Sequence, residues 1–310
     1  MVMELFVNEL SFQGLADNLW IARSRMQQLI EVTVDSYSVS DGIEIRVDGE
    51  HFAVELAEGY FLSTWIDDQD VDFEQRRFWS SQISKHPPVD YLTDIDCYYE
   101  EKRAIGLANA YVCESIVLSL ASEKRWLEDT LEIELLQISD GNCELDPIPA
   151  FVSNVVTKQS IESHKEWIQK RTQTQVPNSG RELWEAREQY FPSLAFCEST
   201  ENALISLRSG DSRIGRVFAT LSRLNRQAID WTPGSGISPA MISPESPETM
   251  EQFGVKRQFQ CPDGQFRIFH LHSRVAEFSW RVHVVPPSQW DGKRILVGYI
   301  GPHLPTKKFH

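Results

Sequence analysis

The chain has 310 residues, 41% of them hydrophobic, and a formal net charge of −15. That is enough length and apolar content for two ordinary domains, or one large one, and it excludes a disordered or low-complexity protein. No apolar run approaches the roughly 20 residues that span a bilayer, and the start MVMELFVNELSF lacks a basic flank ahead of an uncharged apolar block, so a cytoplasmic location and no membrane partner are expected.

In chain order, MELFVNEL reads as a strand, ADNLWIARSRMQQLIEV as a helix, GIEIRV as an alternating strand, and DFEQRRFWSSQIS as a helix entered through acids that suit its N-terminal dipole. AIGLANAYVCESIVLSLASE reads as one apolar, buried helix, and TLEIELLQI as a strand with Leu131, Ile133 and Leu135 on one face. KRTQTQVPNSG, residues 170–180, loses all apolar periodicity and reads as a linker. Beyond it, SLAFCESTENALISLRSGD and SRIGRVFATLSRLNRQAI read as a helix hairpin, with Ile214, Val217, Phe218, Leu221 and Leu224 on one face of the second helix and Ser212 as its N-cap. WTPGSGISPAMISPESPETM is too rich in breakers for regular structure. QFRIFHLH, SWRVHVVP and KRILVGYIG then read as an antiparallel meander, the last two joined through a tight turn at Asp291-Gly292. The expected fold class is α+β: a mixed α/β or α+β domain over residues 1–169, a linker over 170–180, and over 181–310 a helix hairpin packed on a small antiparallel sheet.

Charge divides unevenly along the chain. Residues 1–180 hold 14 Lys and Arg against 32 Asp and Glu, whereas residues 256–310 hold 9 against 3, together with five of the eight histidines. Such asymmetry points to an anionic partner for the end of the chain and a regulatory or protein-binding role for the acidic start. The five cysteines, Cys97, Cys113, Cys143, Cys197 and Cys261, are odd in number and form no C-x-x-C pair, which reads as reduced core thiols.

The densest chemistry lies in FHLHSRVAEFSWRVHVVP. His270 and His272 leave one face of a strand, and with His283 on the next strand they form one conceivable metal set. The alternative is a cationic face without metal or any other cofactor. Arg281 and His283 share a side of their strand, and metal-free RNA cleavage needs a base, a cation for the crowded phosphate and an acid. On that reading Arg281, His283 and His303 are the catalytic candidates, and Lys256, Arg257, Arg267, Arg274, Lys307 and Lys308 the nucleic-acid-binding ones. DDQDVDFE resembles the start of a calcium loop, but Phe73 stands where the loop needs glycine and Trp79 where it needs glutamate. The acids of LEDTLEIELLQ lack the lysine of a metal-dependent nuclease strand, and phosphate-cradling and nucleophile-elbow motifs are absent.

A helix hairpin followed by strands ending in WRVHVV and KRILVGYIGPHLPTKKF resembles the RelE/ParE toxin superfamily, HigB-like members in particular, over about residues 195–310. Trp280-Arg281-Val282 matches the aromatic-Arg-aliphatic motif of the family's penultimate strand. Gly301-Pro302-His303 with Lys307-Lys308 approximates its C-terminal motif, although Leu304 replaces the arginine after the histidine. The resemblance implies a basic toxin-like domain: an RNA- or ribosome-directed effector, a metal-independent ribonuclease if it is an enzyme, in stress response or phage defence. The alternative is a non-enzymatic protein- or nucleic-acid-interaction module.

Overall fold

Met3–Val7 (β1) is buried at all five positions, the burden of a central strand in a sheet covered on both faces. The computed structural model describes residues 3–40, 42–48, 53–85, 95–137, 147–173, 175–234, 242–275 and 278–306. They are α+β in class and fall into two compact units, one holding most of the chain up to Gln175 and the other Val176 onward.

In the first unit β1 leads into Leu19–Val39 (α1) and then Ile43–Arg46 (β2), which pairs parallel to β1. Asn18 caps α1 through a side-chain bond from Ile21 N. The hairpin Glu55–Ala57 (β3) and Tyr60–Phe61 (β4) runs into Leu62–Asp67 (α2) and Phe73–Lys85 (α3). Asp72 accepts from the amides of Glu74 and Gln75 at the start of α3, so one acid of the calcium-like run serves as a helix cap. Ile95–Tyr99 (β5), Lys102–Arg103 (β6), Ile105–Val112 (α4), Ile116–Leu118 (β7), Thr130–Gln137 (β8), Ile148–Val155 (β9) and Lys158–Thr172 (α5) complete it, the sheet order being β2-β1-β7-β9-β8-β5-β6. Leu131, Ile133 and Leu135 are buried along β8 as their alternation predicts. AIGLANAYVCESIVLSLASE is not one helix: α4 stops at Val112, Glu114 takes the left-handed region at φ 46°, and the remaining apolar run becomes β7 between β1 and β9. Helix α5 continues to Thr172, so the stretch read as a linker gives its first three residues to a helix.

The second unit opens with Gly180–Glu185 (α6) and Arg187–Tyr190 (α7). What reads as the first hairpin helix divides into a strand, Leu194–Phe196 (β10), and a shorter helix, Ser199–Ile205 (α8), because the buried run Leu194-Ala195 pairs with the sheet before the chain turns. Arg213–Asp230 (α9) buries Ile214, Val217, Phe218, Leu221 and Leu224 as predicted. Its cap differs: Ser212 has helical backbone angles and makes no capping bond, while Asp211 accepts from Arg213 N at 3.0 Å. The breaker-rich segment also holds structure, a short strand Ser243–Pro244 (β11) and a helix Pro247–Phe253 (α10) with Ser246 as N-cap. Proline at the first helical position needs no amide partner, which is why this run can start a helix. Then follow a 3-10 turn Gly254–Arg257, the hairpin Gln258–Gln260 (β12) and Phe266–Ile268 (β13), and the meander Leu271–Arg274 (β14), Trp280–Val285 (β15) and Ile295–Pro302 (β16). The five-stranded order β10-β16-β15-β14-β11 makes β15 central.

One carboxyl of the first unit carries a pH dependence. Glu9 accepts from the amides of Ile105 and Gly106 at the start of α4, and Gly106 must lack a side chain because a Cβ there would lie 2.1 Å from the Val7 carbonyl. Burial outweighs the two amide bonds and pushes the Glu9 carboxyl up to about 7. A carboxyl raised on folding binds a proton that the unfolded chain releases, so its contribution is fully present below the unfolded value and is lost as pH rises through 7. Denaturant midpoints measured from pH 4.5 to 8 are expected to fall across that window, and Glu9→Gln is expected to flatten the slope.

Candidate functional site on the C-terminal sheet

Alternation along β15 sends Trp280, Val282 and Val284 to one face and Arg281, His283 and Val285 to the other. Val282 and Val284 are buried on the side of α9, where the Arg213 guanidinium lies 4.8 Å over the Trp280 ring. On the opposite face the ladder places His272 beside His283, Arg274 beside Arg281, and Tyr299 of β16 beside His283. Between His283 and Val284 the register of β16 jumps from Tyr299 to Val297, leaving Gly298 as the extra residue of a bulge. This face is divided lengthwise. Its apolar end gathers Val285, Leu296, Phe269, Cys197 and Cys261, and its polar end gathers the histidines and arginines.

The polar end lies under the segment read as unstructured. Glu245, just before α10, donates its backbone amide to the His270 carbonyl, which brings its carboxylate beneath the sheet. The Glu245 Oε1 atom accepts from Arg257 Nε at 2.8 Å, and Arg257 Nη1 donates to the Pro305 carbonyl at 3.0 Å. Oε1 is also 3.6 Å from His272 Nδ1 and 4.0 Å from His283 Nε2. Both histidines are held neutral. Burial, then the nearby His283 and Arg281, drives His272 down to about 2, and burial drives His283 down to about 3. The His283 Nδ1 atom is 3.0 Å from the Phe269 carbonyl, so it carries the proton and donates it there, leaving the lone pair on Nε2.

The sequence-derived candidates therefore separate by depth. Arg281 is half-buried on the histidine face, with Arg274 across the ladder, and His303 sits at the end of β16 with its ring 6.4 Å from that of His272. His283 has no exposed surface, and Arg257 is likewise fully buried in its ion pair, so neither stands on a surface that a polymer touches. Lys256 is exposed. Arg267 is engaged by both oxygens of Asp263 and lies 5.0 Å over the Trp290 ring. Lys307 and Lys308, like Cys143, lie outside the described residues. Cys97, Cys197 and Cys261 are buried thiols and Cys113 is half-buried.

A scan of protein-family models, a search of curated proteins and a search of solved structures find no match to this chain.

His270 departs from the metal set that its spacing suggests. Strand β13 ends at Ile268 and β14 starts at Leu271, so Phe269 and His270 fall in a break of the ladder and His270 presents its carbonyl to Glu245. Glu245 takes its place, and Glu245, His272 and His283 bring one donor atom each within 4.8 Å of one another. Sequence reasoning missed Glu245 and Tyr299. The signal for the glutamate was S-P-E-S-P-E, in which Ser246 and Pro247 announce a helix start and so a fixed position for the residue just before it.

Two substitutions test how this site is held. Removing the guanidinium with Arg257→Met strands a buried carboxylate, and the unfolding free energy is expected to fall by about 3–5 kcal/mol in urea denaturation. A Cβ on Gly298 would lie 2.4 Å from the Phe269 ring. Gly298→Ala is expected to cost about 1–3 kcal/mol by overpacking, and to shift the His283 imidazole resonances in NMR as the Phe269 carbonyl moves.

Proposed function

We propose that the second unit is an RNA-directed effector surface, with Arg281 and Arg274 gripping a phosphate and His303 as the proton carrier at its edge. The observation that carries this reading is the Arg274 to Arg281 pairing across β14 and β15. Two arginines paired across the ladder on one face offer forks of donors matched to phosphate oxygens. Trp280-Arg281-Val282 on the central strand, in the order helix, strand, strand, strand, is the part of the chain that resembles the RelE/ParE toxins, and the basic excess near the C-terminus favours a polyanion. His303 rather than His283 takes the proton-transfer role because it is the partly exposed member of the pair. Chemistry of this kind is metal-independent cleavage: a base withdraws the 2′-hydroxyl proton, the arginines stabilise the crowded phosphate, and an acid protonates the leaving oxygen. The acidic first unit is then a regulator or the docking point for a protein partner.

The burial of His283 favours a second reading, an interaction module that binds RNA, the ribosome or a protein without cutting anything. Both are tested with the full chain, radiolabelled RNA and purified ribosomes. On the leading reading Arg281→Ala weakens RNA binding about tenfold and lowers the salt slope of affinity by about one, and His303→Ala abolishes cleavage while binding persists. RNA bound but left intact by the parent chain selects the interaction module. No binding to RNA or ribosomes defeats the RNA-directed reading.

A further inference from the structure

We infer that Glu245, His272 and His283 form a binding site for a divalent first-row transition-metal ion, with zinc the expected occupant. Two observations carry this. The three side chains bring one oxygen and two nitrogens within 4.8 Å of one another, and the His283 Nε2 atom, on a side chain with no exposed surface, has no hydrogen-bond partner and points into that cluster. An imidazole whose Nδ1 donates to a backbone carbonyl while its Nε2 stays free is in the tautomer and orientation that metal-bound histidine adopts. Here the carbonyl is that of Phe269, and Phe269 is in turn wedged against the bare backbone of Gly298.

The donor set selects the metal. Two nitrogens and one carboxylate suit zinc and its first-row neighbours, whereas calcium and magnesium take oxygen. Zinc bonds of about 2.0–2.2 Å require donor atoms about 3.4 Å apart. The Glu245 Oε1 atom, at 3.6 Å from His272 Nδ1 and 4.0 Å from His283 Nε2, needs only a contraction of under about 1 Å to meet that. Arg257 supplies the outer layer: it fixes the carboxylate, as hydrogen-bonded partners of metal-binding carboxylates do. Three protein ligands leave a fourth position for water, and His303 stands beside His272. The ion ties β14, β15 and the segment before α10 together. This assignment does not rest on the RNA reading, since a chain that binds zinc and ignores RNA, or the reverse, answers the two separately.

The full chain is stripped with a chelator, then equilibrated with Zn²⁺ and analysed for bound metal after gel filtration. In parallel, Co²⁺ is added for its visible absorption bands. One equivalent per chain is expected, with Co²⁺ bands of a nitrogen- and oxygen-ligated site that disappear on adding Zn²⁺. Glu245→Gln and His272→Asn are expected to weaken Zn²⁺ binding at least about 100-fold with an unchanged circular dichroism spectrum, and His270→Ala, outside the cluster, to bind like the parent. Should either ligand variant unfold, the parent decides: its melting temperature rises on adding Zn²⁺ to the stripped protein if the site exists. Less than a tenth of an equivalent bound, ligand variants that bind like the parent, or an unmoved melting temperature overturns the assignment.

Discussion

The buried ion pair between Arg257 and Glu245 sets the terms for everything around it. A guanidinium with no exposed surface loses several kcal/mol of hydration, and only a well-placed counter-charge with further hydrogen bonds offsets that loss. Glu245 supplies the charge, and the carbonyls of Phe253 and Pro305 both accept from Arg257 Nη1. Satisfying one side chain in this way draws three stretches to one point: the residue before α10, the turn after it, and the chain beyond β16. The histidines are buried because this cover lies over them, and their loss of charge follows from that burial.

Two imidazoles side by side at the centre of a sheet are an unusual choice for a core. Valine or leucine would fill the same volume without the cost of desolvating nitrogen. The neighbouring positions show that the fold can use apolar residues there, for Val285 and Leu296 occupy the same face a few ångströms along the strands. The polar end of the face is therefore set apart from the apolar end by residue type alone, on one continuous ladder. Tyr299 marks the border, its ring stacked on Phe259 at 5.6 Å and edge-on to His283 at the same separation.

Much of this was legible in the sequence where a period of two or 3.6 ran unbroken. The face of β15 with Arg281 and His283, the buried side of α9, and the apolar positions of β8 all follow from spacing. Legibility failed where a run changed state midway. AIGLANAYVCESIVLSL has the composition of one helix, and only the left-handed backbone at Glu114 separates α4 from β7. LAFC is too short a run for its period to reveal a strand, and β10 became one because β16 offered it a parallel edge. Glu245 was hidden for another reason. It stands far from the histidines in sequence, inside a proline-rich stretch, and only tertiary packing brings it under them. Arg257 and Arg267 show the same limit in reverse: a charge count registers a cation without showing that its charge is already answered by Glu245 or Asp263.

The bulge at Gly298 makes the site a matter of parity. With one extra residue between Val297 and Tyr299, Val297 and Ile300 both lie on the face that packs against the helices, although they are three apart, and Tyr299 is turned toward the histidines. Were β16 to pair without the bulge, Gly298 would stand opposite His283, Tyr299 would pass into the helix layer opposite Val282, and Ile300 would come opposite Arg281. The register in which β16 pairs at this one position, rather than the chemistry of any side chain, decides which neighbours the histidines have. Point substitutions along β16 can alter the lining of the site but cannot invert it, whereas a one-residue slip of its register can.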